Sequence, residues 1–337
     1  MKQYILPAVI GLTASTSAFA NDHAHHNHSN STYGANYSPV QVMGAHSHNK
    51  DEWMVSYSYG QMHMEGLQQG NDRISNAQAF AAGYAIAPVK MTTEMHMFSA
   101  MKGLTDDFTF MAMTSYQKKD MKLVNNAGVA FSTKAEGFGD TKLSLIDNLN
   151  RYGYTNWSTM VTLSLPTGST DQEYNTPMGA NTRLPYPMQL GSGTYDITPA
   201  VTYECTCRDL SIGAQAFATF RFNDNEEDYR LGSEYGFKAW AGKEWVKNLN
   251  AGLTFNWLTQ NSISGSDDLM NPNMVVTADK RNTGFDRASL ALDVAYKPAV
   301  LRGAEIISTY EEPIYQDVNG IQMESNRMFS IGVRKTF

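Results

Sequence analysis

Residues 248–258 read NLNAGLTFNWL. Leu249, Ala251, Leu253, Phe255 and Trp257 alternate with Asn250, Gly252, Thr254 and Asn256, so one face is aliphatic or aromatic and the other small or polar. A period of two marks a β-strand with one face in an apolar medium, whereas helical winding would scatter both sets of side chains around the surface. Over 52–64, Trp53, Val55, Tyr57 and Tyr59 share a face opposite Met54, Ser56, Ser58, Gly60, Met62 and Met64. Residues 107–117, 156–165 and 287–296 repeat the pattern. The joins between such segments alternate in length. Tight ones fall near 103–107, 151–156, 205–209, 246–250 and 298–303. Long polar ones fall near 65–88, 122–139, 166–193, 262–284 and 312–324, with a shorter one at 223–229. The expectation is an all-β chain, an antiparallel transmembrane β-barrel of about 12 strands with short periplasmic turns on one rim and long extracellular loops on the other. Strands in lipid must close on themselves, because no backbone group can be left unpaired there. A secreted sandwich would need a polar outer face where these strands carry Tyr, Phe, Leu and Trp.

Composition agrees. The chain has 18 Tyr, 15 Phe, 26 Gly and 19 Met, and its net charge of −7 lacks the basic balance of a nucleic-acid binder. Beyond the N-terminus no apolar run approaches the ~20 residues of a membrane helix. Residues 1–20 read as a signal peptide: Lys2, an apolar stretch from Tyr4 to Leu12, then Ala18-Phe19-Ala20, the small-x-small pattern that places cleavage after Ala20. Export to the bacterial outer membrane follows. Residues 21–50 read as a flexible periplasmic segment, and 51–337 as the barrel. The final stretch 328–337, MFSIGVRKTF, alternates Phe329, Ile331 and Val333 and ends on Phe337. It resembles the C-terminal signal by which outer-membrane proteins engage their insertion machinery, although Lys335 stands where an aromatic is common.

The block 164–196 is the most specific text. Ser164-Leu165-Pro166-Thr167-Gly168-Ser169 leads to Thr176-Pro177-Met178 and then to Leu184-Pro185-Tyr186-Pro187-Met188-Gln189-Leu190-Gly191-Ser192-Gly193-Thr194-Tyr195-Asp196. Together with the Met-rich stretches MTTEMHMFSAM and FMAMTSY, it resembles the outer-membrane "transporter" family named for a meta-pathway of phenol degradation. The resemblance covers most of the mature barrel. It implies an outer-membrane β-barrel that moves small, often hydrophobic compounds, and it carries over no catalytic or binding residue. Physically, the prolines stiffen the block and the glycines allow tight bends. That suits a loop folded into the mouth to narrow it, or a rigid external cap.

Two features raise metal chemistry. His23, His25, His26, His28, His46 and His48 crowd the lead-in, and clustered neutral imidazoles chelate Cu, Ni or Zn; the plainer alternative is a solvated linker. Over 89–102, keeping charge out of lipid turns Lys90, Glu94 and His96 inward and Met91, Met95, Met97 and Met101 outward. With the aromatics of neighbouring strands facing out, Met62, Met64, Met111 and Met113 join His96 on the inner wall, a thioether and imidazole set suited to Cu(I) or Ag(I). Methionine as an adaptable gap filler is the competing account. Lys90, Glu94, Lys142, Asp196 and Asp293 are the expected polar lumen residues. No cofactor is required by this reading, and a copper or zinc ion is the one the histidines and methionines would take. Cys205 and Cys207 read as a local disulfide or a pair of thiols at a turn rather than a metal site. No serine motif accompanies a histidine and no phosphate loop or zinc-protease helix is present, so an enzyme is not expected. Three functional classes remain: a channel for small molecules, a metal-handling barrel, and a plugged structural or surface barrel.

Overall fold

Eleven strands alternate direction around one closed ring: β1 (Trp53–Gly70), β2 (Ile86–Gly103), β3 (Phe108–Asn125), β4 (Thr141–Asn150), β5 (Thr155–Leu165), β6 (Asp196–Cys207), β7 (Leu210–Arg221), β8 (Glu234–Val246), β9 (Leu249–Gln260), β10 (Phe285–Tyr296) and β11 (Ala304–Thr336). The computed structural model describes Tyr37 and residues 39–150 and 155–337. Each strand pairs antiparallel with the next, and β11 returns to β1 to close the ring, from Met54 opposite Thr336 to Gly70 opposite Val318. At about 3.3 Å per residue, the 33 residues of β11 are far too long for one crossing. The element doubles back: 306–318 pair with β10 and 318–336 with β1, with Gly320 at φ 62° in the turn. Its two arms therefore give the ring twelve passes, the number expected. Two further strands of the same sheet lie outside the ring, Asp72–Ile74 on β1 and Ala130–Phe138 on the upper half of β3, and two short two-stranded ladders, Glu173–Thr176 with Gly179–Arg183 and Tyr229–Arg230 with Ser264–Gly265, lie in the loops.

The join expected at 312–324 is thus no long loop. Asn319 and Gly320 make a tight turn, and a Cβ at Gly320 would lie 2.2 Å from the Asn282 side chain. The joins at 65–88 and 122–139 are also shorter than expected, because β1, β2 and β3 run 18 residues each. A bilayer crossing needs about 9–11, so these three stand above the membrane as a flange. The remaining long joins fold over the upper end. Helix α1 (Asn76–Ala81), with its Ser75–Gln78 capping box, packs with Leu184, Met188, Leu190 and Val276 into an apolar roof over Met91, Met121 and Met323.

Around the membrane belt the expected alternation holds. Trp53, Tyr57, Phe110, Trp157, Leu253 and Leu292 point out and are exposed, as do Phe329, Ile331 and Val333 in the final arm. Thr109, Ser144, Thr162, Gln215 and Thr254 point in and are buried. Inner hydroxyls satisfy one another across strands, as in the 2.7 Å bond between Ser144 Oγ and Thr162 Oγ1. Leu253 is 58% exposed near the middle of the belt. Leu253→Arg is expected to lower barrel stability by about 2–4 kcal/mol, measured as urea unfolding in lipid vesicles, while Leu253→Ala loses much less; equal losses would place this face away from lipid.

The segment before β1 is not periplasmic along its whole length. Tyr37 and residues 39–48 lie against the inner wall of the ring, with Asn49 and Lys50 exposed at its rim. The barrel wall supplies hydrogen-bond partners that a free segment would take from water. The proposed signal peptide and residues 21–36 lie outside the described residues.

Candidate functional site

The inserted segment forms a strap across the periplasmic end of the lumen, tied to both sides of the wall. On one side, the Lys238 ammonium donates to the Gln41 carbonyl (2.7 Å), Gln215 to the Met43 carbonyl (2.8 Å) and Asn256 to the Gln41 side chain (3.2 Å). On the other, the His48 amide donates to Thr109 Oγ1 (2.9 Å) and the Asp51 amide to the Gly103 carbonyl (2.9 Å). Gly242 and Gly252, paired across β8 and β9, make a slot for the Tyr37 ring: a Cβ on either would sit 2.5 Å from a ring carbon. Strand glycines of this kind mark a close approach. The Tyr37 hydroxyl reaches Asp293 (3.3 Å), whose carboxylate also accepts from Thr254 (2.8 Å) and Thr309 (2.7 Å). Burial, then the Asp293 charge, pushes the Tyr37 hydroxyl above the usual phenol range, which keeps it a donor.

Directly above the strap lies a sulfur-rich layer. Met54, Met101, Met111, Ile146, Met160 and Ala200 form one buried cluster, with Met43 of the strap and Phe217 packed against it. Met54 faces Met101, and Met101 faces Met111, on three adjacent strands. Gly44 fits under this layer because a Cβ there would lie 2.9 Å from the Met160 sulfur.

A cavity of about 610 Å³ opens above it. Its lower wall holds Met113, Thr162, Thr198 and Thr219, each two positions along its strand from Met111, Met160, Ala200 and Phe217 of the layer. Met64, Met95, Met97 and Met113 line one side; Lys142, Asp196, Arg221 and Glu234 line the other. Arg221 spans two acids, with Asp196 at 3.3 Å and Glu234 at 2.9 Å. Residues 186–192 form part of the roof, so the Pro- and Gly-rich block folds inward and narrows the mouth. Asp140 holds it there by accepting from the amides of Gly168 (3.0 Å) and Ser192 (2.8 Å) and from the Ser192 hydroxyl (2.7 Å). Lys119 donates to the carbonyls of Pro187 and Gln189.

Of the expected lumen residues, Lys142 and Asp196 line the cavity and Asp293 anchors the strap. Lys90 and Glu94 do not face the lumen, and neither does His96. Phe98 shares their face and is 46% exposed, and His96 accepts from or donates to the Tyr57 hydroxyl at 2.9 Å in an outer aromatic patch. Met91, Met95, Met97 and Met101 accordingly point inward, the reverse of the expectation. Lys90 and Glu94 can face outward because they belong to the flange, above the bilayer. There, cross-strand neighbours of opposite charge line up: Glu65 with Lys90, Glu94 with Lys118, Lys118 with Glu136 and Asp120 with Lys134. Met62, Met64, Met111 and Met113 are on the inner face as expected; Met62 faces Thr93 and Met328. His23, His25, His26 and His28 lie outside the described residues. His46 and His48 are in the strap. Burial lowers His46 to about 3, helped by Arg334 and His48, and burial likewise lowers His48 against the opposing effect of Glu52. Both imidazoles are therefore neutral at neutral pH. Sequence reasoning missed the roles of Tyr37, Asp140 and Arg221; the glycine pair at 242 and 252 was the available sign of the first. Cys205 and Cys207 stand as free thiols 2.7 Å apart beside the β6–β7 turn.

A closed up-and-down ring with an apolar belt, tall loops on one rim and a polar, partly filled lumen defines an outer-membrane β-barrel. The family described as "Putative MetA-pathway of phenol degradation" matches residues 71–286, more than half of the chain, and the chain belongs to it. Its fold is similar to that of an outer-membrane channel from Pseudomonas putida F1 (12% identity, 86% of this chain and 97% of that one, TM-score 0.62). The KdgM porin (8%, 84% and 99%, TM-score 0.43) and a FadL homologue from Pseudomonas aeruginosa (8%, 84% and 89%, TM-score 0.38) match more loosely. No curated protein matches the chain by sequence.

Proposed function

We propose that the protein is a gated outer-membrane channel for small amphipathic molecules, closed in this conformation at its periplasmic end by the strap of residues 37–50. The observation that carries this reading is the strap itself, hydrogen-bonded to opposite walls beneath the methionine layer. The cavity above it suits the substrate class. Its thioether side offers an adaptable apolar surface, and its far side offers hydroxyls and charges. Twelve passes exceed the roughly eight that wall side chains alone can fill, so removing the strap leaves a passage. The strap can leave because most of its anchors are single hydrogen bonds, each worth about 0.5–1.5 kcal/mol net.

Planar-bilayer conductance of the mature chain, compared with a version lacking residues 21–50, tests the proposal. The full chain should be closed with rare openings and the truncated one steadily open. Equal, steady conductance in both would remove the strap as gate. No conductance in either would favour a plugged structural or surface barrel.

A further inference from the structure

His46 and His48 are a feature of the strap that closure does not explain. Both ring nitrogens of His46 and Nε2 of His48 are buried without a hydrogen-bond partner. An unpaired buried polar group costs about 1–3 kcal/mol, and a strap that only plugs would do better with apolar side chains. The two rings face each other edge to face, with centroids 5.6 Å apart. Two metal–nitrogen bonds of about 2 Å separate ring nitrogens by about 4 Å, and the half-widths of two rings bring the centroid spacing to about 6 Å. The observed spacing therefore accommodates one ion after a turn of one ring about χ2.

We propose that His46 and His48 bind one soft monovalent cation, Cu(I) or Ag(I), with a thioether of the methionine layer as a further donor. Position supports the thioether. His48 O would lie 2.9 Å from a Cβ on Gly103, and the inner-face Met101 sits two residues along the same strand, opposite Met54. Met43 of the strap packs on the same layer. The donor set selects the ion. Zinc takes four ligands in structural sites, and among the described residues no group of three or more His, Cys, Asp or Glu gathers anywhere. Imidazole and thioether suit Cu(I), for which fewer donors suffice. The surrounding charges are balanced: Glu52 lies 3.4 Å from His48 Nδ1, and Arg334 is paired with Glu305.

The site is independent of whether the barrel conducts. Its test uses the folded mature chain in detergent micelles, titrated with Ag(I), or with Cu(I) kept reduced by ascorbate, in competition with a chromophoric Cu(I) chelator. His23, His25, His26 and His28 are first replaced by Ala so that the leading tract does not mask the site. This barrel should bind one equivalent. Adding His46→Ala and His48→Ala should weaken binding ~100-fold, a loss of the size that metal-site changes produce. His46→Met should keep Cu(I) affinity within ~10-fold, since thioether replaces imidazole for a soft ion. The heat-dependent gel shift of a folded barrel checks that each variant is closed. Unchanged affinity after both alanine substitutions, or no binding by the tract-free barrel, would overturn the proposal.

Discussion

Gly242→Val is expected to convert a closed barrel into a conducting one. The three atoms nearest a Cβ at Gly242 are all in the Tyr37 ring, Cδ1, Cε1 and Cγ at 2.5–2.6 Å, so the ring and the new side chain cannot share the slot. The strand itself has no objection: Gly242 is not among the positive-φ glycines, and a β-branched residue suits a strand better than glycine. The displaced ring takes with it the bond to Asp293 and the first anchor of the strap. Open probability in planar bilayers should rise at least ~10-fold, a shift that needs only about 1.4 kcal/mol between seated and released straps. Gly252→Val is the informative contrast. There a Cβ would also meet the Ala241 carbonyl at 2.6 Å and the Gly242 Cα at 2.7 Å, so the barrel wall is damaged along with the slot. A Gly242→Val barrel that folds, yet stays as closed as the parent, would mean that Tyr37 does not hold the strap.

Arg221→Met is expected to give the largest loss of stability of any single lumen substitution, about 3–5 kcal/mol. The Arg221 side chain is 7% exposed and Asp196 6%, so removing the cation leaves a buried carboxylate with only its Thr194 bond of 2.6 Å. Arg221 also donates to the Gly232 carbonyl and thereby ties β7 to the chain entering β8. Removing both partners, Arg221→Met with Asp196→Leu, should recover most of the loss, because a buried pair replaced by apolar side chains is often nearly neutral. Urea unfolding in lipid vesicles reads both. A double variant as unstable as the single one would point to lost packing rather than an orphaned charge.

The barrel was legible in the sequence because lipid outside and water inside impose a strict period of two, and residues such as Leu253 and Thr254 obey it without exception. The position of the membrane along a strand is not written in the period of two. Lys90 and Glu94 were turned inward to spare lipid a charge, but the 18-residue β2 carries them above it, and Phe98 on the same face was the residue to follow. The turn at Asn319 and Gly320 was missed although Asn-Gly between alternating runs is a strong hairpin signal. The strap was illegible for a different reason. Residues 37–50 have no hydrophobic period of their own, and their place is written in the wall, in Gly103, Gly242, Gly252 and Asp293, which only the fold brings around them.

The seam between β1 and β11 joins the two ends of the ring, with Trp53 and Phe337 exchanging both backbone bonds at 3.3 and 2.8 Å. A chain still being delivered has two raw edges until its last residue arrives, and such long-range pairing is slow to form. The strap precedes β1 yet ends up enclosed by strands from β3 to β10. Either it is gathered in while the seam is still open, or it threads in later through a ring already shut. In the first order of events, the plug is a template against which Gln215, Lys238 and Asp293 come to rest, and a strap-less chain should assemble more slowly. In the second, closure precedes plugging, and every newly made barrel begins its life as a leak.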